Sequence, residues 1–399
     1  MSALSTPHDL VPSKTEIVDR ASELIPLLRT HALWSDENRR LHDEVLSALT
    51  AAGLFRLRMP ARYGGFECDA ETMVKVLAQL GQGDGAAAWN VAVWSMSTWL
   101  ASLFPDEVQD EVFAEPDVRT CSVLSPTGRA VPGDGGYIIT GRWHFMSGAL
   151  HSQWQVVLAM APTPDGAGEW PVMAVVPMTD LSIVDDWHTS GLRGTGSVTT
   201  VADAVFVRAD HVLPVPAILT ERYASKRNAA SPIYRSPMIP TGCSTFTGTA
   251  LGLAKGARAE FLERMPGRGI TYTDYATQAV APITHHQVAD ASLKIDEAEF
   301  HALRLATSLD GKARAEESWT VEERSLARAR LGRVFQLAKE AVDILQTASG
   351  GSSLYRDVPI QRINRDVQAL NLHALMHPNT NLELYGRILC DQPPNTMYL

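Results

Sequence analysis

The spacing of apolar residues changes twice along this 399-residue chain, and the two changes divide it into three regions. Up to about residue 117, apolar residues recur every three or four positions, which is typical of helices. From 118 to 222, short β-branched and aromatic runs alternate with Gly, Pro and Asp turns, which is typical of strands. From 223 to 399 the helical spacing returns. The order predicts an α+β protein with an N-terminal helical domain (1–117), a central β domain (118–222) and a C-terminal helical domain (223–399).

Individual elements follow from the same patterns. The predicted helices are Thr15–His31, Asp36–Ala52, Ala70–Gly81, Ala86–Phe104, Thr247–Glu263, His285–Leu309, Val321–Ala348, Arg365–His377 and Thr380–Cys390. The predicted strands are Tyr137–Phe145, Gln155–Met160, Val172–Pro177 and Val198–Val207. Within one helix Gly248, Gly252 and Gly256 recur every four residues, a pattern that favours close helix–helix packing over a ligand site.

Charge and composition exclude several classes of partner. The net charge of -10 argues against nucleic acid or an anionic membrane as a partner. The segment Ala86–Phe104 approaches the length of a membrane span, but polar residues interrupt it, so a buried helix is expected. Four scattered cysteines predict reduced thiols in a cytoplasmic protein. The polar start, with Pro7 and Asp9, lacks a signal-peptide pattern.

Common catalytic motifs are missing from the sequence. No GxGxxG follows a predicted strand, and neither a Walker A sequence nor a GxSxG elbow occurs. His373 and His377 lack the glutamate of an HExxH motif and an obvious third ligand, so no metal is expected.

His373 and His377 are nevertheless candidate functional residues, because they lie four positions apart in a predicted helix and would share one face. Pro378 predicts that this helix ends near His377, and Thr380 with Glu383 has the form of a capping box for the next helix. The dipole at a helix C-terminus favours a protonated imidazole, so a raised pKa is expected. Two structural histidines are the equally weighted alternative.

Two further segments suggest a ligand site. Strand alternation places Trp143, Phe145 and Ser147 on one face, an aromatic wall that ends in a hydroxyl beside Gly148 and suits a planar heterocycle. A buried core face is the alternative. The turn Gly191–Ser197 is rich in glycine and hydroxyl residues, so it predicts either a cradle for a polar cofactor tail or a plain hydrophilic loop.

Four segments in this order resemble the acyl-CoA dehydrogenase superfamily over nearly the whole chain: Met59–Phe66, Gly141–Gly148, Gly191–Ser197, and Gly350-Gly351 with Arg362–Asp366. The resemblance implies an acyl-CoA dehydrogenase-like fold with an N-terminal α-helical domain, a central β-barrel and a C-terminal four-helix bundle. It also implies a tetramer that binds flavin between barrel and bundle.

Two departures separate the chain from the dehydrogenases of that superfamily. Many of them take a carboxylate base from a Tyr-Glu-Gly-Thr stretch, but here the stretch reads His377-Pro378-Asn379-Thr380, with proline in place of the glutamate. The segment Cys121–Pro126 also lacks their usual T-E-P-x-x-G-S-D. The run from Arg365 to His373 instead resembles the two-component monooxygenases that use reduced flavin.

This closer resemblance implies that a separate NAD(P)H-flavin reductase supplies reduced FAD or FMN, with FAD slightly preferred. Oxygen would add to the flavin to give a C4a-hydroperoxyflavin. The implied catalytic residues are His373 as donor to the peroxide, His377 as its partner, Ser147 at flavin N5 and Ser122 near the oxygen or substrate. The implied cofactor-binding residues are Trp143, Phe145, Ser147, Gly148, Thr195, Ser197, Arg264, Gln346 and Thr347.

The expected substrate is bulky and aromatic (a phenol, polyketide or indole) in secondary metabolism, against a wall that includes Trp89, Trp94 and Phe246. A tryptophan-rich helix is also typical of an ordinary core. Oxidation of an amino-sugar nitrogen or a sulfur compound stays open on the same scaffold. Two other classes are an acyl-CoA dehydrogenase with Glu383 as base and a non-catalytic flavin-binding protein.

Overall fold

The computed structural model describes residues 11–399, so the polar start with Pro7 and Asp9 lies outside the described residues. The first part of the chain forms six helices: α1 (Lys14–Glu23), α2 (Ile25–Asn38), α3 (Asp43–Ala51), α4 (Ala70–Gly83), α5 (Gly85–Ala101) and α6 (Asp106–Val112). The Asp84 carboxylate accepts hydrogen bonds from the first N–H groups of α5 and so fixes where this helix begins.

Helix α5 is buried along its whole length, which confirms the prediction of a buried helix for this segment. No helix among residues 11–399 is long and apolar enough to cross a membrane. The first two predicted helices differ from those observed. The chain breaks at Leu24 before Pro26, and again at Arg39, whose φ of 57° is incompatible with a continuous helix.

Eight strands follow: β1 (Thr120–Ser122), β2 (Gly128–Gly133), β3 (Gly136–Met146), β4 (Trp154–Pro162), β5 (Glu169–Pro177), β6 (Ser182–Val184), β7 (Val198–Arg208) and β8 (Val212–Pro214). They form one mixed sheet in the order β6-β7-β3-β2-β4-β5-β8, and β1 pairs in parallel with β4. No pairing joins the edge strands β6 and β8 in residues 11–399. The sheet encloses a separate apolar core that includes Trp143, Met146 and Val157.

The last part is helical again: α7 (Val215–Leu219), α8 (Met238–Arg264), α9 (Pro282–Ala315), α10 (Val321–Ser349), α11 (Pro359–Asn371) and α12 (Pro378–Leu389). Helix α10 packs against α8, α9, α11 and α12 and is the centre of this bundle. A capping box between Thr320 and Glu323 fixes the start of α10.

Helix α8 also lies against α4 through its glycines, which confirms the packing predicted for them. A Cβ atom built on Gly252 would lie 2.7 Å from the Ala78 carbonyl oxygen and from the Gly81 Cα, and one on Gly248 would lie 2.6 Å from the Val74 oxygen. The two helices therefore approach more closely than any larger residue at these positions would permit. All four cysteines are free thiols, three of them buried.

Candidate active site

Three hydroxyl side chains, one directly after β3 and two in the Gly191–Ser197 turn, lie in one hydrogen-bonded row. The Ser147 and Ser197 oxygens are 2.7 Å apart, and those of Ser197 and Thr195 are 2.6 Å apart. Thr195 then donates to the carbonyl oxygen of Leu192 at 2.8 Å. At the other end the indole N–H of Trp89 donates to Ser147 at 2.9 Å. We refer to Ser147, Ser197 and Thr195 as the hydroxyl row.

The structure thus brings together residues that the sequence assigned to different parts of a cofactor. Thr195 and Ser197 were expected at a polar cofactor tail, but both are buried against Ser147, the residue expected at the ring. The Gly191–Ser197 segment makes this possible because Leu192 and Gly196 have φ of 51° and 55°, which turn the chain back toward β3.

The His373 ring contacts the Trp89 ring. The two rings are 5.4 Å apart at 64°, and the Phe246 ring is 5.0 Å from Trp89. The backbone N–H of Leu375 donates to His373 Nδ1 at 3.2 Å. An imidazole that accepts at Nδ1 carries its proton on Nε2, so Nε2–H is the group free to donate.

The expectation that a helix dipole raises the pKa of His373 is wrong. Helix α11 ends at Asn371, so His373 lies in the following turn and not on a helix face. The side chain is exposed at the surface, yet protein groups surround it closely enough that desolvation lowers its pKa to about 4. The imidazole is therefore neutral near pH 7.

His377 lies one turn after His373, since its N–H donates to the His373 carbonyl at 2.9 Å, but neither residue lies in a helix, contrary to the prediction. It is the residue before α12, which begins at Pro378, and its Nδ1 has no hydrogen-bond partner within residues 11–399. The predicted capping box is also not formed, because Thr380 donates to the His377 carbonyl at 3.1 Å. Proline at the first helical position sets this boundary instead.

Trp143 and Phe145 do not share a face, so the alternation predicted for this strand is wrong. The register of β3 against β7 shifts between Trp143 and Met146, and Phe145 has a φ of 63°. Such a bulge reverses the alternation of side chains. Trp143 is fully buried in the sheet core with its N–H on the Leu158 carbonyl at 2.8 Å, whereas Phe145 is 66% exposed.

The bulge is also what places Ser147 and Gly148. Gly148 has a φ of 75°, and a Cβ there would meet the Trp94 ring. Trp94 is buried, and its N–H contacts the Gly148 carbonyl at 3.4 Å and Ser152 at 3.1 Å. These contacts favour a packing role for Trp94 over the substrate wall predicted from the sequence. Phe246 is only half-buried and keeps a free surface beside Trp89.

Ser122 occupies the end of β1, where its hydroxyl is 2.7 Å from that of Ser97 on α5. Ser97 lies eight residues beyond Trp89 on the same helix, so the Ser97–Ser122 pair is separate from the hydroxyl row.

The residues expected at the cofactor tail lie at the C-terminal ends of α8 and α10. Gln346 and Thr347 line a cavity of about 360 Å³ between α10 and α11, together with Asp343, Gly350, Gly351, Ser353, Leu354 and Asn364. A neighbouring cavity of about 480 Å³ is lined in part by Arg268 and Thr347. Arg264 ends α8 and does not line either cavity. Desolvation lowers the pKa of Arg268, and the nearby Arg264 charge lowers it further.

Sequence reasoning missed an ionic cluster behind the hydroxyl row. Asp36 at the end of α2 accepts hydrogen bonds from Arg365 on α11 at 3.2 and 3.1 Å. Its backbone carbonyl accepts from Arg193 in the turn at 2.9 Å. One residue each from the N-terminal helices, the sheet and the C-terminal helices thus meet, and we call Asp36, Arg193 and Arg365 the three-domain clamp.

Asp366, next in sequence, binds the same turn. Its carboxylate accepts from the Leu192 N–H at 2.6 Å, and burial raises its pKa to about 7, with the nearby Asp84 charge acting in the same direction. Gly191 is in contact with α11 as well, since a Cβ on it would overlap the Arg365 carbonyl. Arg365 and Asp366 stood in a recognised motif, but no pattern in the sequence identified their partners.

Comparisons with known proteins agree with this arrangement. Residues 20–115 match the family described as acyl-CoA dehydrogenase, N-terminal domain, and residues 244–378 match acyl-CoA dehydrogenase, C-terminal domain. The chain is 28% identical to the FADH2-dependent resorcinol hydroxylase, oxygenase component, of Rhizobium sp. (strain MTP-10005), over 98% of this chain and 99% of that protein.

It is 29% identical to the flavin-dependent monooxygenase, oxygenase subunit HsaA, of Mycobacterium tuberculosis, over 93% of this chain and 94% of that protein. Among solved structures, XiaF from Streptomyces sp. in complex with FADH2 and glycerol superposes with a TM-score of 0.89 at 31% identity, covering 98% of both chains. The M. tuberculosis HsaA monooxygenase superposes with a TM-score of 0.90 at 28% identity, over 97% of this chain and all of that one.

Proposed function

The chain belongs to the acyl-CoA dehydrogenase family, as a flavin-dependent monooxygenase, and from this premise we propose that it hydroxylates a bulky aromatic substrate. It would act as the oxygenase component of a two-component system, with reduced flavin from a separate NAD(P)H-flavin reductase. The observation that carries this proposal is a neutral imidazole, His373, held beside Trp89 and the hydroxyl row.

The residues present fit a flavin ring. Phe145 offers an aromatic surface that is 66% exposed, and its ring lies 5.9 Å from that of Trp187. Ser147, two residues on, is 6% exposed and provides a polar contact at the end of that strand. We assign Phe145, Ser147 and Gly148 to the ring, and Gln346 and Thr347 to the tail with Arg264 near it. Reduced flavin supplies the electrons that activate O2 when it is bound.

FAD is the preferred form of that flavin. The relatives in which a cofactor is named include an FADH2-dependent hydroxylase and an FADH2 complex, at 28% and 31% identity over nearly the whole chain. The cavity at Gln346 and Thr347, about 360 Å³ in volume, offers room for an adenine-bearing tail.

His373 would hold a proton at Nε2 for the reacting oxygen. Its Nδ1 is already occupied by the Leu375 N–H at 3.2 Å, which fixes the tautomer and the ring orientation. The Trp89 ring lies 5.4 Å from the His373 ring and packs in turn against Phe246, so one side of the imidazole faces an aromatic surface. Because its pKa is lowered to about 4, His373 stays neutral and can donate this hydrogen bond throughout the neutral pH range. We place His377 in a supporting role.

The substrate would lie against Phe246 and Trp89, with the Ser97–Ser122 pair as a polar contact farther along α5. Relatives are named for resorcinol, indole-3-acetate and p-hydroxyphenylacetate, at 28%, 27% and 25% identity, which agrees with an aromatic ring. Secondary metabolism is the proposed setting, with nitrogen and sulfur oxidation as outcomes of the same substrate panel.

The dehydrogenase alternative receives no support from Glu383. That carboxylate is exposed and accepts a hydrogen bond from Asn395 at 3.2 Å.

The proposed assembly is a homotetramer in the cytoplasm. Exposed apolar side chains on α9, such as Leu293 and Phe300 at 70% and 64% exposure, are candidates for its interfaces. Light scattering of the purified protein measures this assembly directly.

The test is oxygenation with chemically reduced FAD and a panel of phenols, indoles and polyketides, scored by mass gain of one oxygen and by H2O2 released. In His373→Ala we expect product per O2 consumed to fall by roughly tenfold or more. His377→Ala should lower the coupling by less than His373→Ala, in keeping with a supporting role. Equal coupling in wild type and His373→Ala would contradict the assignment of His373.

A further inference from the structure

The hydroxyl row can hold its hydrogens in only one arrangement. It contains three short contacts, Ser147–Ser197 at 2.7 Å, Ser197–Thr195 at 2.6 Å and Thr195–Leu192 O at 2.8 Å. Three hydroxyl groups supply three hydrogens, and the Leu192 carbonyl supplies none. An oxygen pair this close without a hydrogen between its members would repel, so each contact must contain one.

The carbonyl therefore sets the direction. Thr195 must donate to Leu192, so Ser197 must donate to Thr195, and Ser147 must donate to Ser197. The Ser147 oxygen also accepts the Trp89 N–H at 2.9 Å. Its one hydrogen and one of its two acceptor positions are then used, and only an acceptor position is left for a ligand.

The anchor of this direction is firmly held. The Leu192 carbonyl also accepts from the Trp187 indole at 3.0 Å and from the Thr195 N–H at 3.2 Å, and the Leu192 N–H is bound to Asp366 at 2.6 Å. Both polar groups of this residue thus have partners besides the Thr195 hydroxyl, and these partners hold the carbonyl in place.

A flavin presents different groups at N5 in its two redox states. Reduced flavin carries a hydrogen there and donates, whereas oxidised flavin has a lone pair and accepts. Resting on the proposed function, which places N5 at Ser147, we propose that Thr195 determines the redox specificity of the site. It orients the hydroxyl row so that Ser147 accepts from reduced flavin and has no hydrogen for oxidised flavin.

The consequence concerns release as well as capture. A two-component oxygenase receives reduced flavin by diffusion and must release the oxidised form for another cycle. The fixed direction of the hydroxyl row favours binding of the reduced form and disfavours binding of the oxidised form, so it also favours release. Thr195 does this without contacting the flavin, because two hydrogen bonds connect it to Ser147, which makes the contact.

The test is the dissociation constant of FAD in each redox state, measured by flavin fluorescence for the oxidised form and by anaerobic titration for the reduced form. Wild type should bind reduced FAD more tightly. In Thr195→Val the Ser197 hydrogen loses its acceptor and turns to Ser147, whose own hydrogen then faces the flavin. The ratio of the two constants should shrink by about tenfold.

Ser197→Ala interrupts the row at its middle and should shrink the ratio in the same direction, which covers the case that Thr195→Val folds poorly. Thr195→Ser keeps the hydroxyl and should retain the wild-type ratio. A purely structural role for Thr195 would weaken binding of both redox states equally and leave the ratio unchanged in all three variants, which would overturn the proposal.

The same titrations separate this inference from the proposed function. A wild-type protein that binds neither form of FAD would refute the proposed function itself. A wild-type protein that binds both forms with the same constant would refute only the redox specificity.

Discussion

Replacing Asp366 with asparagine should stabilise the protein more at pH 8.5 than at pH 5.5. Burial raises the pKa of this carboxyl from 3.8 to about 7, so the folded protein holds a proton there that the unfolded chain has lost. Wild-type stability therefore falls as pH rises from the unfolded pKa through the folded one. Asparagine resembles the protonated form and removes this loss.

The size of the effect follows from the shift. A change from 3.8 to about 7 corresponds to ~4 kcal/mol of destabilisation once the pH exceeds both values. About half of it, ~2 kcal/mol, develops between pH 5.5 and 8.5. Asparagine also keeps an acceptor oxygen for the Leu192 N–H, as the protonated carboxyl does at pH 5.5, so this contact changes little there. Only the change in stability that depends on pH measures the cost of burying the Asp366 charge.

The assay is thermal unfolding of wild type and Asp366→Asn at both pH values, at one ionic strength and without flavin. The difference in Tm, variant minus wild type, should increase by roughly 3–5 °C toward high pH. Asp185→Asn is the control, because Arg39 lowers the pKa of that exposed carboxyl and it stays ionised across this range. A Tm difference that is constant, or that falls as pH rises, would show that Asp366 is ionised and stabilised by Arg362.

Three further predictions concern the sheet, the helix packing and the imidazole. Trp143→Ala should lose about 3–5 kcal/mol of stability, measured by thermal unfolding, because the ring is fully buried. Phe145 is 66% exposed, so Phe145→Ala should change Tm little but weaken FAD binding, measured by flavin titration. Gly252→Val should lose about 3 kcal/mol or more of stability, because its Cβ would lie 2.7 Å from the Ala78 carbonyl oxygen. Gly311→Val, whose Cβ meets nothing within 4 Å, should lose less. A similar Tm in the two variants would refute the close approach of α4 and α8. Desolvation lowers the pKa of His373 to about 4, so the product formed per O2 consumed should show no change near pH 6.5 that depends on this residue. A transition near pH 6.5 that is present in wild type and absent in His373→Asn would contradict this.

The periodicity of the sequence was sufficient for the fold because each region has one dominant spacing. The segment Ala70–Gly81 was predicted within two residues of α4, and Val321–Ala348 within one residue of α10. Both helices begin at a side-chain cap, Asp69 and Thr320, that is visible in the sequence. Fold class could be read from such local signals alone.

The site was harder to predict because local irregularities decide which way its side chains point. A single positive φ at Phe145 separated Trp143 from it, and the end of α11 at Asn371 removed His373 from any helix face. Neither position carries glycine or proline, the usual signals of such a break. Spacing alone therefore identified several of the right residues but assigned some of them the wrong surroundings.

The three-domain clamp has a consequence for protein engineering. Since Asp36, Arg193 and Arg365 come from three separate parts of the chain, a chimera that takes its sheet from one relative and its helices from another inherits a mismatched set. Exchange of substrate preference between relatives should succeed when only the α5 and α8 surfaces near Trp89 and Phe246 are swapped, and fail when a swap divides the clamp. Recombination points that keep these three residues from a single parent would then yield the larger share of folded hybrids.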